Sequence, residues 1–349
     1  MQVIPATKDS LAKLDQLLNS HGTMVILTHD YPDPDALASA LLLSHLCRVR
    51  YRLRTRIAYG GVILRAENRT MVQQLKIKLT HIDDIQWHRY KLIAMVDTQP
   101  EFKNHGLPEE ITPTVVIDHH KGKLPVRADF ADIRTNYGAS ATMLLEYMAA
   151  AEIDIPVRIA TAIAYAIRSE TQELGRDASK ADVDAYLEVY PKANKRTLSK
   201  INNPKLPKTY FILLATALEK AIMFRQLAHV HLGAVESPES VALIADLLLR
   251  HERMSWSLVT GRYKKKMFLS LRCNRGNANA AKCLKQIVGS QGFTGGHAQI
   301  AGGYIPFNSH LEKDWQKLEE MITERFSTKI GEGSQLEWKP FLANGLKTE

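Results

Sequence analysis

The sequence predicts an α/β protein in two parts: an N-terminal domain built on a parallel sheet and a smaller C-terminal α/β domain. Three observations predict this. Short apolar runs alternate with segments of helical periodicity. Three of those runs end in aspartate or histidine. A polar, basic, proline-containing stretch at 191–208 interrupts the pattern before it restarts. The 349 residues suit two domains better than one. We therefore expect domains at 1–190 and 209–330, a linker at 191–208 and a weakly structured tail at 331–349.

The elements follow in order. Leu11, Leu14, Leu17 and Leu18 recur at helical spacing within 8–20. Met24 to Thr28 is a short apolar run and reads as a buried strand; after the loop that follows, a helix resumes from Ala36 to Leu46. Lys91 to Val96 and Pro113 to Ile117 repeat the strand signal, and helices are predicted over 139–151 and 157–168. Beyond the linker we expect a helix over 209–226, a strand over 229–235 and a helix over 238–250. Strands around 257–259 and 267–271 and a helix over 278–287 then lead into a glycine-rich loop, Gly292 to Gly303.

Composition narrows the function classes. A hydrophobic fraction of 45% and a charged fraction of 24% are ordinary for a globular chain. The formal net charge of +9 favours anionic partners such as nucleotides, although solvated surface lysines give the same number. Three cysteines, Cys47, Cys273 and Cys283, show no paired spacing, which argues against a disulfide framework or a thiolate zinc site. The N-terminus lacks the pattern of a signal peptide, and no apolar run approaches the ~20 residues needed to span a bilayer. The expectation is a cytoplasmic protein without membrane association.

The chemistry is concentrated at three strand ends: His29-x-x-x-Asp33-x-Asp35, Asp97, and Asp118-His119-His120. In an open parallel sheet, ligands bind outside the carboxyl ends of the strands, so these residues converge on one crevice. A lone Asp-x-Asp is more often a turn or a helix cap. Three such ends together point to metal ligation. Carboxylate and imidazole donors without thiolates suit Mn2+ or Mg2+, with Co2+ or Zn2+ as further options, and paired metals clamp the attacking and leaving oxygens of a phosphoryl displacement. Asp97, alone on the middle strand, is the choice for a bridging ligand.

These motifs, His29-Asp-Tyr-Pro-Asp33-Pro-Asp35, Val96-Asp97-Thr98 and Ile117-Asp118-His119-His120, resemble the DHH phosphoesterase superfamily. Gly292-Phe-Thr-Gly295-Gly296-His297, followed by Ala301-Gly302-Gly303, resembles the GGGH signature of the DHHA1 domain, with Thr294 replacing the first glycine. The resemblance implies two divalent metal ions, Mn2+ by preference and Mg2+ second. It implies His29 and Asp33 on one metal, Asp35 and His119 on the other, Asp97 bridging, Asp118 orienting the histidines and His120 reaching the substrate phosphate. The family's fourth motif falls at 166–176, where Glu170 stands in place of the usual aspartate and Glu173 competes with it. Arg272, Gly295, Gly296 and His297 become substrate-binding candidates, holding the rest of the substrate across an interdomain cleft. The layout resembles the nanoRNase group of oligoribonucleases that also dephosphorylate 3′-phosphoadenosine 5′-phosphate. The expected reaction is hydrolysis of short single-stranded oligonucleotides or nucleotides by metal-activated water. Alternatives are a cyclic dinucleotide phosphodiesterase and a non-catalytic nucleotide-binding regulator. A homodimer is a further expectation. Two features are discounted: the basic run Arg262 to Lys266 reads at least equally well as a solvated turn, and His45 as a core or interface residue.

Overall fold

The computed structural model describes residues 4–18, 22–63, 65–122, 125–175, 178–296, 298–330 and 337–342. The chain divides into two compact units, Met1–Lys205 and Leu206–Glu349.

In the first unit, α1 (Pro5–Leu17) precedes β1 (Thr23–Leu27), α2 (Pro34–Arg50), β2 (Arg54–Tyr59), α3 (Ala66–Gln74) and β3 (Leu79–His81). There follow β4 (Leu92–Val96), β5 (Val115–Asp118), β6 (Phe130–Ile133), α4 (Ser140–Ala150), α5 (Val157–Glu170), α6 (Lys180–Lys192) and α7 (Lys195–Asn202). Six strands among the described residues form a sheet in the order β3-β2-β1-β4-β5-β6, parallel throughout. The chain runs outward in one direction from β1 to β3 and in the other from β4 to β6. The switch point therefore lies between β1 and β4, where a parallel α/β sheet opens its binding crevice.

Both faces of this sheet are buried, which explains why its central strands read as continuous apolar runs. Along β1, Met24 and Ile26 enter the larger core with the leucines of α2, while Val25 and Leu27 enter a smaller core with Ile93, Met95 and Val116. Helix α2 begins where Asp33 caps it, the carboxylate accepting from the Ala36 N–H at 2.9 Å, with Pro34 at its first position.

The second unit contains α8 (Lys208–Lys220), β7 (Ile222–Phe224), β8 (Leu227–Ala234), α9 (Pro238–Leu249), β9 (Trp256–Tyr263) and β10 (Lys266–Cys273). It continues with α10 (Ala280–Val288), β11 (Phe293–Gly296), β12 (Ile300–Pro306), α11 (Glu312–Ile330) and β13 (Lys339–Pro340). Its sheet has the order β11-β12-β10-β9-β8-β7-β13 and is antiparallel except between β8 and β9. Residues of α10 and α11 share one core with this sheet, and residues of α8 and α9 share another.

Where the sequence reading assigned a helix, a linker and a loop, the structure departs from it. The helix expected over 209–226 ends at Lys220, because Ala221 turns to extended backbone at ψ 140° and β7 begins. The stretch 191–208 contains α7, whose Leu198 and Ile201 are buried in the first unit's core. The glycine-rich segment forms the antiparallel hairpin β11–β12, with Gly295 opposite Gly302. Within the expected tail, residues 331–336 and 343–349 lie outside the described residues. Among the described residues, no helix is long and apolar enough to cross a membrane.

A pair of buried histidines makes the second unit sensitive to acid. His229 and His231 on β8 bring their Nε2 atoms within 2.8 Å of each other, and both meet the Thr323 hydroxyl, at 3.0 and 2.9 Å. Burial pushes the His229 pKa down to about 4, and burial followed by the charge of its neighbour pushes His231 well below its ordinary value. Unfolded, both bind a proton near pH 6.5; folded, neither does until the pH is far lower. The unfolded state therefore takes up more protons below pH 6.5. Stability is complete above that pH and is lost as pH falls toward 4, by ~1.4 kcal/mol per pH unit per histidine. We expect the denaturation midpoint to fall more steeply between pH 6.5 and 5 in the wild type than in His231→Gln. Parallel pH profiles would contradict this.

Candidate metal centre

The three strand ends meet at the switch point. Beyond β1, the His29 Nε2 atom lies 3.8 Å from Asp33 Oδ2 and 3.6 Å from Asp97 Oδ2. Beyond β5, His119 Nε2 lies 3.5 Å from Asp97 Oδ1 and 3.9 Å from Asp35 Oδ2, and His120 Nδ1 lies 3.7 Å from Asp97 Oδ1. Among the described residues, donor atoms within 4.8 Å of one another form two triads, His29–Asp33–Asp97 and Asp97–His119–His120. Asp97 belongs to both, presenting one oxygen to each. It is buried (1% exposed) at the end of β4 with φ +59°, a left-handed conformation that aspartate adopts more readily than most non-glycine residues. Its N–H is tied to the Ile117 carbonyl at 3.0 Å, which locks the ends of β4 and β5 together.

The polar atoms of the site fit divalent cations. His29 Nδ1 sits 2.9 Å from the Asp30 carbonyl, and His119 Nδ1 sits 3.0 Å from the Tyr137 carbonyl. A carbonyl only accepts, so each Nδ1 carries the hydrogen and each Nε2 is the nitrogen offered to the carboxylates, an arrangement typical of metal-ligating histidine. Among the described residues, Asp97 Oδ2 and His119 Nε2 are buried without a hydrogen-bond partner, and buried polar atoms are rarely left so. The charge balance agrees. Burial, with the charges of Asp97, Asp33 and Glu170, pushes the Asp35 carboxyl well above its ordinary pKa. Burial opposes a charge on His29, but Asp33 and Asp97 outweigh it and raise its pKa. Crowded carboxylates that recruit protons in this way would equally recruit a cation, releasing protons on binding.

His120 has a different setting. Its Nδ1 meets Asp118 Oδ1 at 2.9 Å, and its side chain is more than a third exposed. Burial opposes its charge, but the Asp118 bond and the Asp97 charge carry its pKa up to about 9. At neutral pH it is a half-exposed cation at the rim of an acidic site, suited to a phosphoryl oxygen.

Several supports were not legible in the sequence. Gln99 Nε2 donates to Asp118 Oδ2 and to the His120 carbonyl, both at 2.8 Å. Gly122 makes room for it, since a Cβ there would sit 1.9 Å from Gln99 Oε1. The N–H groups of Ser140 and Ala141, at the start of α4, hold both oxygens of Asp35 at 2.7 and 2.9 Å, and the Ser140 hydroxyl donates to Asp97 Oδ1 at 3.0 Å. The positive end of α4 thus faces the carboxylates. Asp35 lies beside His119 but in neither triad.

The remaining candidates are placed as follows. Glu170, at the end of α5, is felt by Asp35 and His120 as a nearby negative charge but joins neither triad. Glu173 pairs with Arg168 at 3.0 Å and is 72% exposed. In the second unit, Arg272 is buried, bonding Asp246 Oδ1 at 2.5 Å and the Ser270 hydroxyl at 2.7 Å, so a phosphate there would compete with Asp246. Gly295 and Gly296 are exposed at the end of β11, and His297 lies outside the described residues.

Residues 23–167, from β1 to near the end of α5, match the model of the DHH family, N-terminal domain. An uncharacterized protein of Methanocaldococcus jannaschii is 32% identical over 312 residues, covering 88% of this chain and 63% of that protein, so the chain spans less than two thirds of its relative. The crystal structure of an exopolyphosphatase-related protein from Bacteroides fragilis shares the fold, with a TM-score of 0.71 at 14% identity over 92% of this chain and 97% of its own. The family match and the parallel sheet support the fold of a DHH-family N-terminal domain for the first unit, followed by a C-terminal α/β domain.

Proposed function

We propose that this protein is a two-metal phosphoesterase that hydrolyses short single-stranded oligonucleotides, 3′-phosphoadenosine 5′-phosphate, or both. The observation that carries the proposal is Asp97 at the switch point, with His29 and Asp33 grouped on one side of it and His119, beside Asp35, on the other. Two divalent cations bound there would supply Lewis-acid polarisation of the phosphoryl group and activation of water. His29 and Asp33 would hold one, Asp35 and His119 the other, and Asp97 both, with Mn2+ favoured by the mixed carboxylate and imidazole donors. Asp118, fixed by Gln99, aims and charges His120. His120 offers a proton-bearing nitrogen to a phosphoryl oxygen as negative charge accumulates there. The net charge of +9 favours an anionic substrate.

The test is product release in Mn2+ across a panel: a 5′-phosphorylated dinucleotide, a longer oligoribonucleotide, 3′-phosphoadenosine 5′-phosphate, cyclic di-AMP and pyrophosphate. Turnover fastest on the dinucleotide or the bisphosphate is the expected result. Turnover confined to pyrophosphate or cyclic di-AMP would replace the substrate assignment, and silence with metal bound would overturn the hydrolase reading.

A further inference from the structure

On one face of the second unit's sheet, aromatic rings run across four strands. Phe293 on β11 is directly opposite Tyr304 on β12, which is directly opposite Phe268 on β10. Their ring centroids are 5.1 and 5.8 Å apart, and Tyr263 at the end of β9 extends the row 6.2 Å from Phe268. Directly opposite residues of an antiparallel pair project from the same face, so these rings form one continuous strip. The strip is open at its β11 end, where Phe293 is 61% exposed, while Phe268 packs against the core shared with α8 and α9.

The surroundings specify what would cover it. Lys266 Nζ lies 4.1 Å from the Tyr304 ring centroid and Lys264 Nζ lies 5.3 Å from that of Tyr263. Both ammonium groups thus sit on the aromatic strip, with exposed Lys265 between them in the turn. Beside the rings the next cross-strand row includes Gly302 opposite Gly295, leaving side-chain-free backbone. A Cβ at Gly295 would meet nothing within 4 Å, and one at Gly302 only the Leu269 carbonyl at 3.9 Å. Packing inside the unit therefore does not require glycine at either position.

We propose that this face is a stacking platform for the unpaired bases of a single-stranded nucleic acid, whose phosphates meet the Lys264–Lys266 turn. Bases stack on exposed aromatic rings while cations track the backbone, and sheets displaying aromatic residues bind strands in this way. An apolar protein partner would match the rings but not the ammonium groups on them. The inference deepens the hydrolase reading by naming the nucleobase as what the second unit recognises. It rests on that reading only for the expectation that the bound strand is also a substrate.

The test is fluorescence anisotropy of a labelled five-nucleotide deoxyadenosine strand with the full-length protein in EDTA, so that binding is measured without turnover. Phe293→Ala and Tyr304→Ala should each weaken binding about tenfold, the effect of losing one stacked base. Phe293→Trp should keep it, and an abasic strand of equal length should bind the wild type as weakly as the variants bind the normal strand. Phe293 is exposed, so its alanine variant should keep the wild-type melting temperature. Equal binding of the abasic and normal strands, unchanged affinity in both alanine variants, or no binding at all would overturn the platform whatever the hydrolysis assays show. So would light scattering that shows Phe293→Ala dissociating a dimer while strand affinity is unchanged, since the face would then be a subunit interface.

Discussion

Replacing Asp97 by Asn is expected to abolish hydrolysis while leaving the fold intact. Asn is among the few residues that tolerate the φ of +59° found there. Its amide oxygen can still accept from the Ser140 hydroxyl, now at 3.0 Å from Asp97 Oδ1. What is lost is the one charge common to both donor triads. A metal centre contributes several kcal/mol of transition-state stabilisation, so kcat/KM should fall by at least about a thousandfold. In EDTA the fold should be little affected. Asp97 pushes the Asp35 carboxyl up but also favours the charged forms of His29 and His120, so removing it relieves repulsion and loses attraction together, and the variant should melt close to the wild-type temperature. Steady-state kinetics with Mn2+ and thermal melts in EDTA check the two halves separately. An active variant would contradict the site assignment, and a variant destabilised in EDTA would show that Asp97 serves the fold.

The second large effect is structural. Glu146 of α4 is 1% exposed and accepts from Arg134 Nη1 at 2.7 Å, Thr7 Oγ1 at 2.7 Å and the Tyr137 hydroxyl at 2.8 Å. Arg134 also pairs with Asp132 at 2.6 Å, and the Tyr147 hydroxyl donates to the same Asp132 oxygen at 2.6 Å. Arg134→Met fills part of the volume but leaves Glu146 charged and buried without its cation, which should cost about 3–5 kcal/mol in chemical denaturation. Adding Glu146→Leu should recover much of that loss, because the uncompensated charge goes with it. The network also holds the segment from Arg134 to Ser140 that presents the Tyr137 carbonyl to His119 and the α4 N-terminus to Asp35. Metal affinity should therefore weaken in Arg134→Met even where the protein is folded. A cost below about 1 kcal/mol would mean that water replaces the guanidinium readily.

The ends of β1, β4 and β5 were legible in the sequence because the strands are buried on both faces, so their apolar runs stop abruptly at Thr28, Asp97 and Asp118. β2 was missed because Arg54-Thr-Arg56 opens it with polar side chains, and β3 because three residues carry little pattern. α7 was hidden because only Leu198 and Ile201 of its eight residues are buried, within a basic stretch flanked by prolines. Within the site, residues offering side chains were readable, whereas the contributions of Tyr137 and Ala141 are backbone groups and carry no signature of side-chain type. Gln99 looks like any loop glutamine until Gly122 is seen to admit it. Arg272 shows the converse: an arginine near a glycine-rich turn suggested an anion, but α9 delivers Asp246 to it, and no local pattern couples residues 26 apart in this way.

The central claim is that three strand ends build one centre for two divalent ions around Asp97. The most direct measurement is the Mn2+ content of the protein, taken by isothermal titration of metal-free wild type and Asp97→Asn with elemental analysis of the saturated samples. The account predicts two ions per wild-type chain, with protons released on binding, and at most one weakly held ion in the variant. Two tightly held ions in Asp97→Asn, or none in the wild type, would contradict it.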